Sequence, residues 1–263
     1  MKHARVAYGG ALYQAIMLAE GMLKLEDGRV LSEDQVVWLP PLQPQTIFAL
    51  ALNYADHAKE LAEKSSKETG SFLKAPVVEP VIFLKGPNTL IGHQGFTKRP
   101  EVAEFMHYEC ELGVVIGRSG KRISRANAMD YVAGYTVVND YAIRNFLEGY
   151  YRPNLRVKSR DTCTPIGPWL VDRDDIADPM DLVLTTHVNG VLTQEGNTKD
   201  MIHDIGALIE YISEIMTLNA GDVIMTGTPK GSVDVFPGDK VVCEVEGIGK
   251  LVNTIVADWQ VTS

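Results

Sequence analysis

Glu109 and Glu111 stand two residues apart in His107-Tyr-Glu-Cys-Glu-Leu-Gly-Val-Val-Ile-Gly117, and Asp140 ends the apolar run Tyr131-Val-Ala-Gly-Tyr-Thr-Val-Val-Asn-Asp140. In an extended strand alternate side chains share a face, so His107, Glu109 and Glu111 point one way while Met106, Tyr108, Cys110, Leu112 and Val114 point the other. Two carboxylates aimed together repel, and one is driven to protonate unless a cation lies between them. An all-oxygen set of this kind suits a hard ion such as Mg²⁺ or Mn²⁺ that keeps coordination positions open to a substrate. The competing reading is the solvated face of an amphipathic strand, which is what alternation ordinarily means. Asp140, closing a strand where functional side chains tend to gather, favours the cation.

Other groups suited to chemistry lie on either side. In Asn53-Tyr-Ala-Asp-His-Ala-Lys-Glu60, His57 and Glu60 share a face if the segment is helical. A carboxylate beside an imidazole orients it and raises its basicity, which makes an acid/base pair; a plain surface contact is the alternative. The polar run Ala62–Gly70 follows, of a composition that can stay mobile. After Asp140, Arg144, Arg152, Arg156, Lys158 and Arg160 oppose a single Glu148, against the acidic trend of the chain. Arginine grips carboxylates bidentately, and about two of these five cations are expected in a site, the rest being solvated or paired elsewhere. Thr226-Gly-Thr-Pro-Lys-Gly231 follows a strand and exposes backbone N–H groups that either hold an anion or merely form a tight turn. Gly120-Lys121 lacks the surrounding residues of a P-loop, and His187 and His203 lack zinc-site spacing.

The elements that must position these groups are mostly strands. They are predicted at Thr46–Leu52, Val81–Leu84, Glu109–Ile116, Gly134–Val138, Leu182–Val188, Asp222–Met225, Lys240–Val245 and Leu251–Val256. One helix is predicted, with Met201, Ile202, Ile205, Leu208, Ile209, Ile212, Ile215 and Met216 at helical spacing and Asn219-Ala-Gly221 as its stop. Helices are too few for a βα-barrel, so the expected fold is mainly β with some α: a mixed sheet rolled on itself, a β-roll or sandwich. Residues 1–45 read as a small N-terminal β-rich segment around the turn Glu26-Asp-Gly-Arg29, with Pro40, Pro41 and Pro44 as linker to a main domain over 46–263.

Composition sets the outer bounds. At 263 residues and 45% apolar, the chain can bury a real core. A net charge of −9 argues against a nucleic-acid or anionic-membrane surface and requires any anionic ligand to be held locally. Cys110, Cys163 and Cys243 are isolated, as befits buried thiols in a reducing compartment. Neither a signal-peptide pattern nor a run of membrane-spanning length is present, so the expected location is cytoplasmic.

Taken in order, Asn53-Tyr-Ala-Asp-His57, Glu109-Cys-Glu111, Asn139-Asp140, Lys158 and Thr226-Gly-Thr-Pro229 resemble the fumarylacetoacetate hydrolase superfamily, over nearly all of the chain from about Thr46. The run from Asn139 to Asp161 is similar to its isomerase/decarboxylase branch in homoprotocatechuate (4-hydroxyphenylacetate) degradation, especially the C-terminal half or separate second subunit. The resemblance implies a β-roll domain with Mg²⁺ or Mn²⁺ held by Glu109, Glu111 and Asp140. His57 and Glu60 would sit on a lid, Lys158 near the reacting carbons and Thr228 near a substrate carboxylate. Lys85 would occupy another pocket position, Arg144 or Arg152 would hold a distal carboxylate, and Tyr151 would line the pocket. It further implies a 2-oxo di- or tricarboxylate substrate and a homodimer or higher multiple, with a homologous partner subunit as one arrangement. The implied activity is decarboxylation of 5-carboxymethyl-2-oxohex-3-ene-1,7-dioate and isomerisation of 2-hydroxyhepta-2,4-diene-1,7-dioate through a dienolate. Many superfamily members carry Gln three residues after the Arg of the Asn-Asp segment, where this chain has Leu147, so hydrolases relying on that Gln match less well. Acylpyruvate hydrolysis and oxaloacetate decarboxylation remain alternatives, and a non-catalytic metal-binding structural protein is the alternative of another class.

Overall fold

Inward-facing apolar rows on two sheets build the core. The computed structural model describes residues 1–57, 59–60, 79–146 and 154–258. Among these, the centre of a 12-stranded sheet is the row Lys2–Tyr8, Thr164–Asp172, Val132–Asn139, Cys110–Ile116, Val223–Met225, Ile47–Ala51 and Val81–Lys85. A 5-stranded sheet is ordered Val191–Asn197, Val183–Val188, Lys240–Val245, Gly249–Ala257 and Gly95–Arg99. Cys110, Leu112, Val114, Tyr135 and Val137 from the first sheet share one buried cluster with Leu184, Val241, Cys243, Val245, Leu251 and Ile255 from the second. This is the expected mainly-β architecture, with strands at every predicted place and ends shifted by a residue or two.

Three local expectations are corrected. The predicted strand Glu109–Ile116 begins at Cys110, and Met106–His107 pairs separately with Ala142–Ile143. The chain leaves the regular ladder at the first candidate ligand. The long helix runs only over Ile205–Ile215, because the Asp204 carboxylate caps it by accepting from Ala207 N–H at 2.8 Å. Met201 is instead drawn into a bridge with Tyr54, and the helix ends before the Asn219–Gly221 turn. The strand Thr164–Asp172 was not anticipated, since Pro165, Gly167 and Pro168 interrupt its pattern. It pairs with Lys2–Tyr8, so the N-terminal strands continue the large sheet and their Ala4, Val6 and Leu23 enter the common core.

Candidate metal and acid/base centre

Strand register brings the three acids together. Cys110 pairs with Asn139, so the residues just beyond this antiparallel ladder, Glu109 and Asp140, lie side by side, and Asp140 N–H donates to Glu109 O at 2.9 Å. On the other flank Gly113 pairs with Met225, which aligns Glu111 with Gly227 beyond that strand's end. The Gly227 N–H donates to Glu111 Oε2 at 2.8 Å. One oxygen from each of Glu109, Glu111 and Asp140 lies within 4.8 Å of the others, and all three residues are buried. The solvated-face reading is thereby excluded: Glu109 is 6% exposed and Glu111 0%.

Cations surround the acids. Lys158 Nζ lies 2.6 Å from Glu109 Oε2 and 2.8 Å from Asp140 Oδ2, and Arg144 Nη2 lies 2.6 Å from Glu109 Oε1. Lys85 Nζ, fully buried, donates to Asp140 Oδ1 and sits 3.6 Å from Cys163 Sγ. Burial pushes the Glu109 carboxyl up, but Lys158, Arg144 and His57 outweigh it and bring its pKa down to about 2. Burial pulls the Lys85 ammonium down, but the charges of Asp140, Cys163 and Glu109 outweigh it and leave its pKa raised. Glu111 fares differently. Burial, then the charges of Asp140 and Glu109, drive its pKa well above the usual carboxylate range, and neither Lys158 nor the Gly227 amide offsets them.

These observations test whether a divalent cation fits. Glu111 Oε1 is buried without any hydrogen-bond partner, and Asp140 Oδ2, although within ion-pair distance of Lys158, accepts no hydrogen bond. Buried, unpartnered carboxylate oxygens are costly. A hard cation between the three carboxylates would satisfy both oxygens and relieve the like-charge crowding on Glu111. The donor set fits such an ion.

The remaining predicted residues divide. Residues 55–57 and 59–60 are helical, and this puts His57 Nδ1 3.5 Å from Glu60 Oε2, with His57 buried and close enough to Glu109 to lower its pKa. Glu60 Oε2 also accepts from Gly231 N–H at 3.4 Å. Thr228 is buried, its Oγ1 accepting from Gln194 Nε2 at 3.0 Å. Of the basic run, Arg144 and Lys158 reach the acids, while the Arg156 guanidinium lies over the Phe146 ring, 4.0 Å from its centroid. Arg144, one of the two arginines expected on a distal carboxylate, is paired to Glu109 here. Tyr151, Arg152, Leu147 and the polar run Ala62–Gly70 lie outside the described residues.

Some groups at the centre escaped the sequence reading. The Cys163 thiol donates to Lys158 O at 2.9 Å and contacts Lys85, an arrangement that no local pattern announces. Asn53 ties the start of the His57 segment to the Thr226 turn, donating to Thr226 O at 2.8 Å and to His203 O at 3.0 Å while accepting from His203 N–H at 2.9 Å. A polar residue directly after a buried strand was the available signal.

Comparison with known proteins bears on all of this. The family model for the fumarylacetoacetate (FAA) hydrolase C-terminal region matches residues 46–256. The chain is similar to the 4-hydroxyphenylacetate degradation bifunctional isomerase/decarboxylase of Salmonella dublin, 53% identical over 246 residues that make up 92% of this chain and 55% of that protein. The chain therefore spans about half the length of the curated relatives it matches. Among solved structures, the 2-hydroxyhepta-2,4-diene-1,7-dioate isomerase of Mycobacterium marinum is 34% identical at a TM-score of 0.82, covering 98% of this chain and 99% of that one. Maleylpyruvate hydrolase from Sphingobium sp. SYK-6, solved with manganese(II) and pyruvate, is 25% identical at a TM-score of 0.79, covering 98% and 99%.

Proposed function

The chain belongs to the fumarylacetoacetate hydrolase family, and from that premise we propose that it is a divalent-metal-dependent decarboxylase/isomerase of 4-hydroxyphenylacetate (homoprotocatechuate) degradation. Its substrates in this reading are 5-carboxymethyl-2-oxohex-3-ene-1,7-dioate, which loses CO₂, and 2-hydroxyhepta-2,4-diene-1,7-dioate, which becomes the 2-oxo-3-ene isomer. The observation that carries the reading is a buried acidic triad in which Glu111 Oε1 has no hydrogen-bond partner, surrounded by Lys85, Arg144 and Lys158. The Salmonella relative, by its name, is an isomerase/decarboxylase of 4-hydroxyphenylacetate degradation, and the Mycobacterium marinum protein isomerises the diene-dioate, which supports this reading.

Glu109, Glu111 and Asp140 would hold Mg²⁺ or Mn²⁺, which when bound would supply Lewis-acid attraction for the carboxylate and 2-oxygen of a 2-oxo acid. Three carboxylates against Lys85, Arg144 and Lys158 leave no net formal charge. A 2-oxo carboxylate whose 2-oxygen gains electrons brings two negative charges, which a bound divalent ion would offset. In decarboxylation the bond to the departing carboxylate breaks, and its electron pair moves along the conjugated chain to that oxygen. In isomerisation the 2-hydroxyl gives up its proton, the electron pair returns along the conjugated chain as the 2-oxo group forms, and a distant carbon takes a proton. Lys158 steadies the charge beside the reacting carbons, and His57, oriented by Glu60, moves the proton. Thr228 and Lys85 meet the proximal carboxylate. Arg144 steadies Glu109, and Arg144 or Arg152 meets the distal carboxylate, with Tyr151 lining the pocket. Residues 46–263 carry this chemistry in a cytoplasmic homodimer or a multiple of one. Among the described residues no helix is long and apolar enough to cross a membrane.

Ultraviolet progress curves with the triacid, with and without chelator, test the proposal, because they report the two reactions separately. Both phases should vanish with chelator and return with Mg²⁺ or Mn²⁺. Cleavage of an acylpyruvate in the absence of either phase would assign the chain to the hydrolases instead.

A further inference from the structure

Asp140 is flanked by two side chains that point away from the acids into the space between the sheets, and a single amide holds both. Asn253 lies in the strand Gly249–Ala257, whose inward row is Leu251, Asn253, Ile255 and Ala257. It is the polar member of an otherwise apolar row, and it is 0% exposed. Burying an amide there costs free energy unless every polar atom is matched. Here they are. Asn253 Nδ2 donates to Tyr141 Oη at 2.9 Å and to Thr97 Oγ1 at 3.0 Å, and its Oδ1 accepts from Asn139 Nδ2 at 3.4 Å. Asn139 Oδ1 in turn accepts from Glu109 N–H at 3.0 Å, the amide left outside the ladder where the strand begins at Cys110. Thr97 and Asn253 come from the 5-stranded sheet, Asn139 from the large sheet and Tyr141 from the connection just beyond it, and all four are buried.

We propose that Asn253 is a positioning residue for the metal centre: by holding Asn139 and Tyr141 it fixes the backbone on both sides of Asp140, and through Asn139 it fixes Glu109. This rests on the reading of Glu109, Glu111 and Asp140 as cation ligands. Removing one member of a buried polar network strands its partners, so loss of Asn253 costs stability as well as ligand geometry, and a packing control separates the two. Groups behind a ligand typically govern metal affinity by about 10- to 100-fold.

The test is Mn²⁺ titration of the full chain followed by electron paramagnetic resonance. Asn253→Leu keeps the branched shape, at a larger volume, and removes the amide that joins Asn139, Tyr141 and Thr97. It should weaken Mn²⁺ binding by about 10- to 100-fold. Ile255→Val, in the same inward row, controls for loss of packing and should leave the Kd unchanged at a comparable loss of stability. If Asn253→Leu does not fold, Tyr141→Phe and Thr97→Val each remove one hydroxyl and decide the matter, each weakening Mn²⁺ binding by several-fold. Wild-type affinity in folded Asn253→Leu, or in both hydroxyl variants, overturns the proposal. The wild type against Glu111→Gln tests the underlying reading separately: if neither binds Mn²⁺, or both bind alike, the ligand assignment falls and the role of Asn253 with it.

Discussion

The Gly227 N–H donates to Glu111 Oε2 at 2.8 Å from a backbone at φ +90, and a Cβ at this glycine would stand 3.0 Å from the Asn53 Cβ. The turn can present that amide to a candidate ligand only with glycine there, because an L side chain is strained at such a φ and would press on Asn53. Gly227→Ala should lower unfolding stability by about 1–2 kcal/mol, read by urea denaturation, and weaken Mn²⁺ affinity by about tenfold or more. Unchanged affinity would mean that Glu111 does not need this amide.

Lys85 and Asp140 are both fully buried, so Lys85→Met leaves the Asp140 carboxylate away from water with Lys158 alone as its cation. The chelator-treated variant should lose about 3–5 kcal/mol of stability. Added Mn²⁺ should raise its melting temperature by more than it raises that of the wild type, since the cation takes over part of the lysine's electrostatic task. A melting temperature indifferent to Mn²⁺ in both proteins would argue against a cation at the triad.

His57→Gln keeps a hydrogen-bonding side chain but removes a group able to take and return a proton. Turnover should fall by about 100-fold or more, while Mn²⁺ affinity and melting temperature stay close to wild type. Full turnover in both phases of the ultraviolet assay would remove His57 from the acid/base role.

Far from the acids, His93 should make the protein acid-sensitive. Burial, and then Lys240, lower its pKa from 6.5 to about 4, and its Nδ1 accepts from Val252 N–H at 3.1 Å. The folded ring therefore stays neutral while the unfolded chain takes up a proton, so its stabilising contribution is complete above pH 6.5 and is lost as pH falls towards 4. The loss amounts to about 3 kcal/mol. Stability measured against pH should decline across that window, and His93→Leu, less stable at neutral pH, should lack this component. Parallel curves for the two proteins would refute the assignment.

Residue order carried the β-rich architecture, because alternating and continuous apolar runs such as Lys240–Val245 have few places to go but a sheet. It also carried the family and the three acids, since Glu109-Cys-Glu111 and Asp140 are local patterns. It could not say whether those acids face water or one another. That was decided by the register of Cys110 on Asn139 and Gly113 on Met225, long-range pairings that no local pattern specifies. Tertiary structure likewise put Arg144 on Glu109, Lys85 on Asp140 and Cys163 beside Lys85, because these contacts join segments far apart in the chain. Asn253 lies between the two cases: the alternation Leu251-Val-Asn-Thr-Ile255 already turned an amide inward, but only the packing of one sheet on the other gave it partners beside Asp140.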